Sequence, residues 1–238
     1  MITALDHLVV RGEAAAYEAL LGRRAADGRL QTANVGVRFA ADAAEPLAAM
    51  VFATESLDEA ARLLERRAIA TTRRGDALEL PAVATRGVPI ALIERAARPA
   101  PSPLLGEEAA AVAALDHVVV RTADPERAIA LYAGRLGLDL RLDRSNPAWG
   151  SRLLFFRCDD LVVEIAHDLK AGVSDAPDRL WGLSWRVPDV AAAHARMAAA
   201  GIAVSSVRDG RRPGSQVFSV KDGSNGVPTL VIGGIGRW

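Results

Sequence analysis

Cysteine is nearly missing from this chain: Cys158 is the only one in 238 residues. An internal disulfide is therefore impossible, and a thiolate metal cluster is excluded. There is no surplus of either charge, since 29 Lys and Arg are matched by 29 Asp and Glu. No basic tract is present either, so nothing in the charge pattern favours nucleic acid. No uninterrupted apolar run reaches the roughly 20 residues that a membrane helix needs. The opening Met1-Ile2-Thr3-Ala4 enters a strand-like run without the charged and apolar segments of a secretion signal. These absences give the expectation of a soluble, cytoplasmic protein with no nucleic-acid and no membrane partner. What remains is ordinary globular material, half hydrophobic and a quarter charged, long enough for one large domain or two of common size.

The sequence repeats itself. Leu5-Asp6-His7-Leu8-Val9-Val10 returns as Leu115-Asp116-His117-Val118-Val119-Val120, and Gly87-Val88-Pro89 returns as Gly226-Val227-Pro228. The same opening and closing phrases in each half indicate a duplicated unit. Between the halves, the segment from Arg95 to Ala111 is rich in Ala and Pro and lacks strand alternation, which reads as a stiff linker. The expected division is 1–97, a linker at 98–112, and 113–238.

Each half divides again. In the second, 115–121 reads as a strand, and Asp124-Pro125-Glu126 starts a helix with Asp as N-cap and Pro in the first turn. That helix reaches Leu136 and is stopped by Gly137. Strands are expected over 138–142, 152–158 and 161–166. A second round follows: a strand at 182–187, an Ala-rich helix at 190–200 stopped by Gly201, then strands at 202–208, 216–221 and 228–232. The first half fits the same template in shortened form, with one unit over 7–42 and another whose helix spans 57–67. The expectation is an α+β chain of four βαβββ modules, paired into two curved, cup-like mixed sheets with helices outside.

Four such modules, with an Asp-His-bearing first strand and a Gly-Val-Pro-Thr-Leu closing strand, resemble the vicinal oxygen chelate superfamily. That group includes glyoxalases, extradiol dioxygenases and bleomycin-resistance proteins. The resemblance implies a metal at the base of each cup, held by His and Glu on the first and last strands of paired modules. Such a metal, Zn, Ni, Mn or Fe, chelates two substrate oxygens. Carried over by position, the third module supplies His117 and Glu164, while the fourth offers Gly182 and the region of Thr229. The first keeps His7 but has Arg38 in place of the carboxylate, and the second has Ala49 and Ile90. Two pairings stay open, one with two and three with four, or one with four and two with three. Neither brings more than two of the family's ligands into one cup, so a metal-free state is favoured over a metal site at His117 and Glu164.

Those two residues are the candidate catalytic pair, as metal ligands, as an acid–base pair, or as a plain hydrogen-bonded pair. Trp149, Phe156, Trp181, Arg211 and Arg212 are the candidate substrate-binding residues: aromatics for an apolar pocket, arginines in a turn for an anion. Trp185 reads as core, His167 as a surface residue pointing away from Glu164, and His194 as solvated. Cys158 has no neighbour that would make it a nucleophile. Two functions follow. One is a glyoxalase- or dioxygenase-like protein acting on or binding a small oxygenated or aromatic metabolite through His117 and Glu164. The other is a metal-free sequestering protein of the bleomycin-resistance type. The expected partner is a small molecule, and a homodimer is compatible.

Overall fold

The computed structural model of the chain describes residues 1–95 and 97–234. Trp238, the fourth tryptophan, lies outside the described residues. The first module comprises β1 (Ile2–Arg11), α1 (Ala14–Leu21), β2 (Arg29–Gln31) and β3 (Gly36–Ala40). The second has β4 (Leu47–Thr54), α2 (Leu57–Arg66), β5 (Thr72–Arg74), β6 (Ala77–Glu79) and β7 (Ile90–Glu94). The third has β8 (Ala114–Arg121), α3 (Pro125–Ile129), β9 (Asp139–Asn146), β10 (Ser151–Cys158) and β11 (Leu161–Asp168). The fourth has β12 (Arg179–Arg186), α4 (Val190–Ala199), β13 (Arg208–Asp209), β14 (Gln216–Val220) and β15 (Thr229–Gly233). The first module is one strand short, which is why its sheet has seven strands and the other eight.

Strand order answers the pairing question that sequence left open. One mixed sheet runs β2-β3-β1-β4-β7-β6-β5, and the other β13-β14-β15-β12-β8-β11-β10-β9. Modules one and two thus share one sheet, three and four the other. Within a module the first strand lies beside the last: β1 pairs β3, β4 pairs β7 and β12 pairs β15, all parallel. No described helix is long and apolar enough to cross a membrane.

Local chemistry sets the helix ends. Asp124 accepts hydrogen bonds from the amides of Glu126 and Arg127 at 2.9 and 3.2 Å, with Pro125 in the first turn. Downstream the helix widens into a π-helical turn over Ala130–Arg135. Ser56 caps α2 and Asp189 caps α4 in the same manner, each satisfying an otherwise orphaned amide. At the far end of α1, Gly22 adopts φ +66°, a conformation that suits glycine.

By compactness the chain forms two units that cut across the sheets: Met1–Asp6, Ala49–Arg98 and Val118–Trp181 in one, His7–Ala48, Pro99–His117 and Gly182–Trp238 in the other. In the first unit, α2 buries Leu57, Ala60 and Leu64. Tyr132, from the turn after α3, meets Phe156 of β10 with ring centroids 5.6 Å apart. In the second unit, Arg196 of α4 reaches the C-terminal carbonyls of α1, donating to Leu20 at 2.7 Å and to Ala19, and also to Ala110 at 3.0 Å. The segment at 98–112 is not a bare spacer there. Ser102 exchanges two hydrogen bonds with the Gln31 backbone, and Arg23 donates to the carbonyls of Ser102 and Val112. The expected strand at 202–208 is reduced to a single bridge at Val204 and the two residues of β13. Around that bridge Ser205 N–H donates to the Ser219 carbonyl at 2.9 Å and Lys221 N–H to the Ala203 carbonyl at 2.7 Å, and Ser219 N–H donates to Ser205 Oγ.

Candidate functional site

In the first unit, β9, β10 and β11 form an antiparallel meander whose register fixes which side chains share a face. Phe155 lies opposite Glu164 on one side and Leu142 on the other, and the next row is Arg144, Leu153 and Ala166. Phe156, Leu154, Ile165 and Val163 are all buried, on the face that meets Tyr132. The Glu164 face is open: Glu164 and Phe155 are half-buried, while Leu142 keeps 47% of its surface exposed. Leu142, Phe155 and Leu153 thus share this open face with the Glu164 carboxylate.

Two tryptophans stand in the same unit. Trp149 lies in the short 3-10 turn between β9 and β10, 47% exposed, with the Arg144 guanidinium 5.4 Å from its ring centre. Trp181, 37% exposed at the start of β12, has the Arg121 guanidinium 4.4 Å from its ring centre. Both rings are therefore accessible and already engaged in cation–π contacts. Phe156 is not on this surface. It is fully buried against Tyr132, because adjacent strand residues point to opposite faces, and Phe155 takes the open side.

His167 also points away from Glu164, as alternation requires, yet it is buried, with its Nδ1 3.2 Å from the Thr122 carbonyl. Asp178 closes the same corner, accepting from Thr122 Oγ1 at 2.8 Å and from the Ala123 amide. Burial pushes its carboxyl above the ordinary carboxylate range, against the pull of those hydrogen bonds. Burial likewise pushes the Cys158 thiol up to about 12, with Asp159 adding to the shift. That thiol is inert near neutral pH.

In the second unit, His117 has a partner that the sequence reading passed over. Its Nδ1 lies 2.8 Å from Oδ2 of Asp116, whose side chain is only 2% exposed against 18% for the imidazole. A buried carboxylate at this distance orients the imidazole ring through Nδ1. The signal was present in the repeated Asp-His dipeptide, but neighbours on a strand are normally assigned to opposite faces and not to each other.

The start of β8 is anchored in this unit by Asn34, whose amide donates to the Leu115 carbonyl and accepts from the Leu115 amide, both at 2.8 Å. Ala113 N–H donates to the Arg186 carbonyl at 2.9 Å. Since β8 begins at Ala114 and β12 ends at Arg186, the two strands overlap only if they are antiparallel. That register sets Gly182 opposite His117. At Gly182 a Cβ would lie 2.7 Å from the Pro228 carbonyl oxygen. The fourth module's histidine position is thus closed to any side chain. Farther along, Arg211 and Arg212 lie exposed in the turn after β13, which Gly210 N–H and Ser215 O close at 2.8 Å. His194 is part-buried and not solvated: its Nε2 is 3.0 Å from the Ser205 carbonyl, and its ring meets Phe218 edge-on.

The divalent metal implied by the resemblance does not fit these residues. Among the described residues, no group of three or more His, Cys, Asp or Glu could hold a metal ion. Register explains why. In the first module His7 lies opposite Gly36 and Val9 opposite Arg38. The same offset in the second module leads from Ala49 to Ala91, opposite Val51, one residue beyond the expected Ile90. In the fourth it leads to Leu230, opposite Ser184, since Thr229 is buried beside Leu183. Only the third module offers a donor at both positions.

Residues 116–218 match the model of the Glyoxalase/Bleomycin resistance protein/Dioxygenase superfamily. No curated protein matches the sequence. Among solved structures, a 2,2',3-trihydroxybiphenyl 1,2-dioxygenase from Sphingomonas wittichii is similar over 100% of this chain and 92% of its own, at 15% identity and TM-score 0.71. A halotolerant catechol dioxygenase is similar over 100% and 89%, at 12% identity and TM-score 0.70. A methylmalonyl-CoA epimerase from Mycobacterium tuberculosis is similar over 52% and 90%, at 22% identity and TM-score 0.44. The module order, the sheet order and the two full-length dioxygenase likenesses converge: the chain has the vicinal oxygen chelate fold, and residues 116–218 are similar to the glyoxalase, bleomycin-resistance and dioxygenase superfamily.

Proposed function

We propose that this protein binds a small oxygenated or aromatic molecule on the open face of its C-terminal sheet, and does so without a metal ion. The carrying observation is the donor set: His117 and Glu164 are the only two family-type ligands that the matched strand positions supply in the second half, and Gly182 cannot be replaced without displacing the Pro228 carbonyl. The open face itself supports an aromatic ligand. Phe155, Leu142 and Leu153 give an apolar floor, Glu164 accepts a hydrogen bond from a hydroxyl, and Trp149 with Arg144 borders it.

A catalytic reading is favoured by one observation, the bond between Asp116 and His117. A carboxylate-oriented imidazole is suited to removing a proton next to a carbonyl or from a phenol. In that reading His117 is the base and Asp116 the residue that positions it. The chemistry would be proton transfer, not oxygen activation.

Titrating the protein with catechol while following tryptophan fluorescence tests the binding reading. Saturable quenching is expected, unchanged by EDTA and weakened about tenfold in Glu164→Gln, which loses one charge-assisted hydrogen bond. Phe156→Leu should leave the affinity unchanged and lower stability by ~1–2 kcal/mol. Quenching that disappears with EDTA and returns with added metal would overturn it.

A further inference from the structure

The C-terminal sheet ends in a long, exposed strand. β9 is the last in its order, and no described strand pairs with its outer side. Such edges invite pairing with another chain, and proteins commonly keep them short. The other three sheet edges follow that habit: β2 and β5 have three residues each and β13 has two. β9 has eight, and all but Leu140 and Asn146 are exposed. It bulges at Arg141, which the ladder with β10 skips, and then runs in unbroken register from Leu142 to Asn146.

The side chains of β9 suit one partner in particular, a second copy of the same strand. Asp139, Arg141, Asp143 and Arg144 mix both signs, and the chain carries no net charge that would hold copies apart. Two edge strands related by a two-fold axis through the sheet run antiparallel, with one residue opposite itself. Centred on Arg141, Asp143 or Arg144, the pairing would set a charge against its own copy, which is destabilising. Centred nearer either end, it would leave three residues or fewer in the ladder. Centred on Leu142, it sets Arg141 opposite Asp143 twice, Leu140 opposite Arg144, and Leu142 opposite itself. Leu142 is 47% exposed, so this register also covers apolar surface. Arg152 is shared between Asp143, at 2.9 and 2.7 Å, and Glu126, at 2.7 Å. Two carboxylates thus meet one guanidinium, and an arginine from a second copy balances them.

We propose that two copies of this protein associate through β9, antiparallel and centred on Leu142, so that the C-terminal sheet of one copy continues into that of the other. The contact is made by the backbone edge and its register by the charges. It does not rest on the proposed ligand or on the absence of a metal.

Sedimentation velocity over a range of concentrations, together with cysteine crosslinking, tests the pairing on the full chain. Wild type should be a concentration-dependent dimer. Arg141→Glu replaces two attractions per dimer with two repulsions and should weaken association about tenfold or more. Arg62→Glu, the same change on the exposed side of α2, should associate as wild type does. Opposed residues of an antiparallel pair lie about 4.5–5.5 Å apart at Cα, within reach of a disulfide. Leu142→Cys treated with oxidised glutathione should therefore give a disulfide-linked dimer. Arg144→Cys should not, since its two copies would stand about 13 Å apart along the strands. The buried Cys158 is common to both variants. A dimer that Arg141→Glu leaves intact, or crosslinking of Arg144→Cys as strong as that of Leu142→Cys, would overturn the proposal. So would a wild type that stays monomeric up to about 1 mM, and the charges of β9 would then guard its edge against pairing.

Discussion

Asp178, in the loop that leads into β12, accepts hydrogen bonds from Thr122 and Ala123 but is buried deeply enough for its carboxyl to be held above the ordinary range. In the unfolded chain the same group titrates near the usual carboxylate value, so between those two values the folded state binds more protons. Stability from this group therefore falls as pH rises through that window, and the deficit persists at neutral pH. Replacing Asp178 with Asn keeps an oxygen acceptor for Thr122 and removes the buried charge. The expected outcome in thermal melts is a stabilisation by Asp178→Asn that is larger at pH 7 than at pH 4. A larger gain at pH 4 would contradict the burial argument. At the same scale, the 2.8 Å contact of His117 Nδ1 with Asp116 shows how one adjacent buried carboxylate can orient an imidazole.

Among the elements, β8 shows how a strand is fixed by groups outside its own ladder. Asn34 satisfies both the amide and the carbonyl of Leu115 from a loop of the first module. Asn34→Ala should cost ~2–4 kcal/mol, because it leaves two buried backbone groups without partners. Chemical denaturation measures this, and a loss below ~1 kcal/mol would mean that water replaces the side chain. Strands and helices were largely legible in the sequence, because β-branched runs, Asp and Ser caps and stopping glycines act locally. The strand expected at 202–208 is broken up: around the bridge at Val204 its backbone bonds the β14 region through Ala203 and Ser205, and it pairs again only at Arg208–Asp209. The site was less legible for a related reason. Period-two alternation correctly turned His167 away from Glu164, but it could not say that the far face is core, nor that Phe155 and not Phe156 lies beside Glu164. One residue of register decides each of these.

For the whole molecule, duplication fixed the architecture and then let the copies diverge. The sheets join modules one with two and three with four, while the compact units group the chain along another line. Against that shared frame, substitutions at equivalent strand positions can be compared within one chain: Glu164 in the third module, Arg38 in the first, Ala91 in the second and Leu230 in the fourth. A metal needs three or four donors converging on one point, and the chain retains two such residues at matched positions of a single module. On the reading proposed above, the fold persists here with metal chemistry withdrawn and small-molecule binding retained. Elemental analysis tests it most directly, on protein purified without chelator, then offered Zn, Ni, Mn and Fe(II) and desalted. Metal content well below one equivalent is expected, with no change between wild type and His117→Ala. Near-stoichiometric metal that is lost in His117→Ala would contradict it.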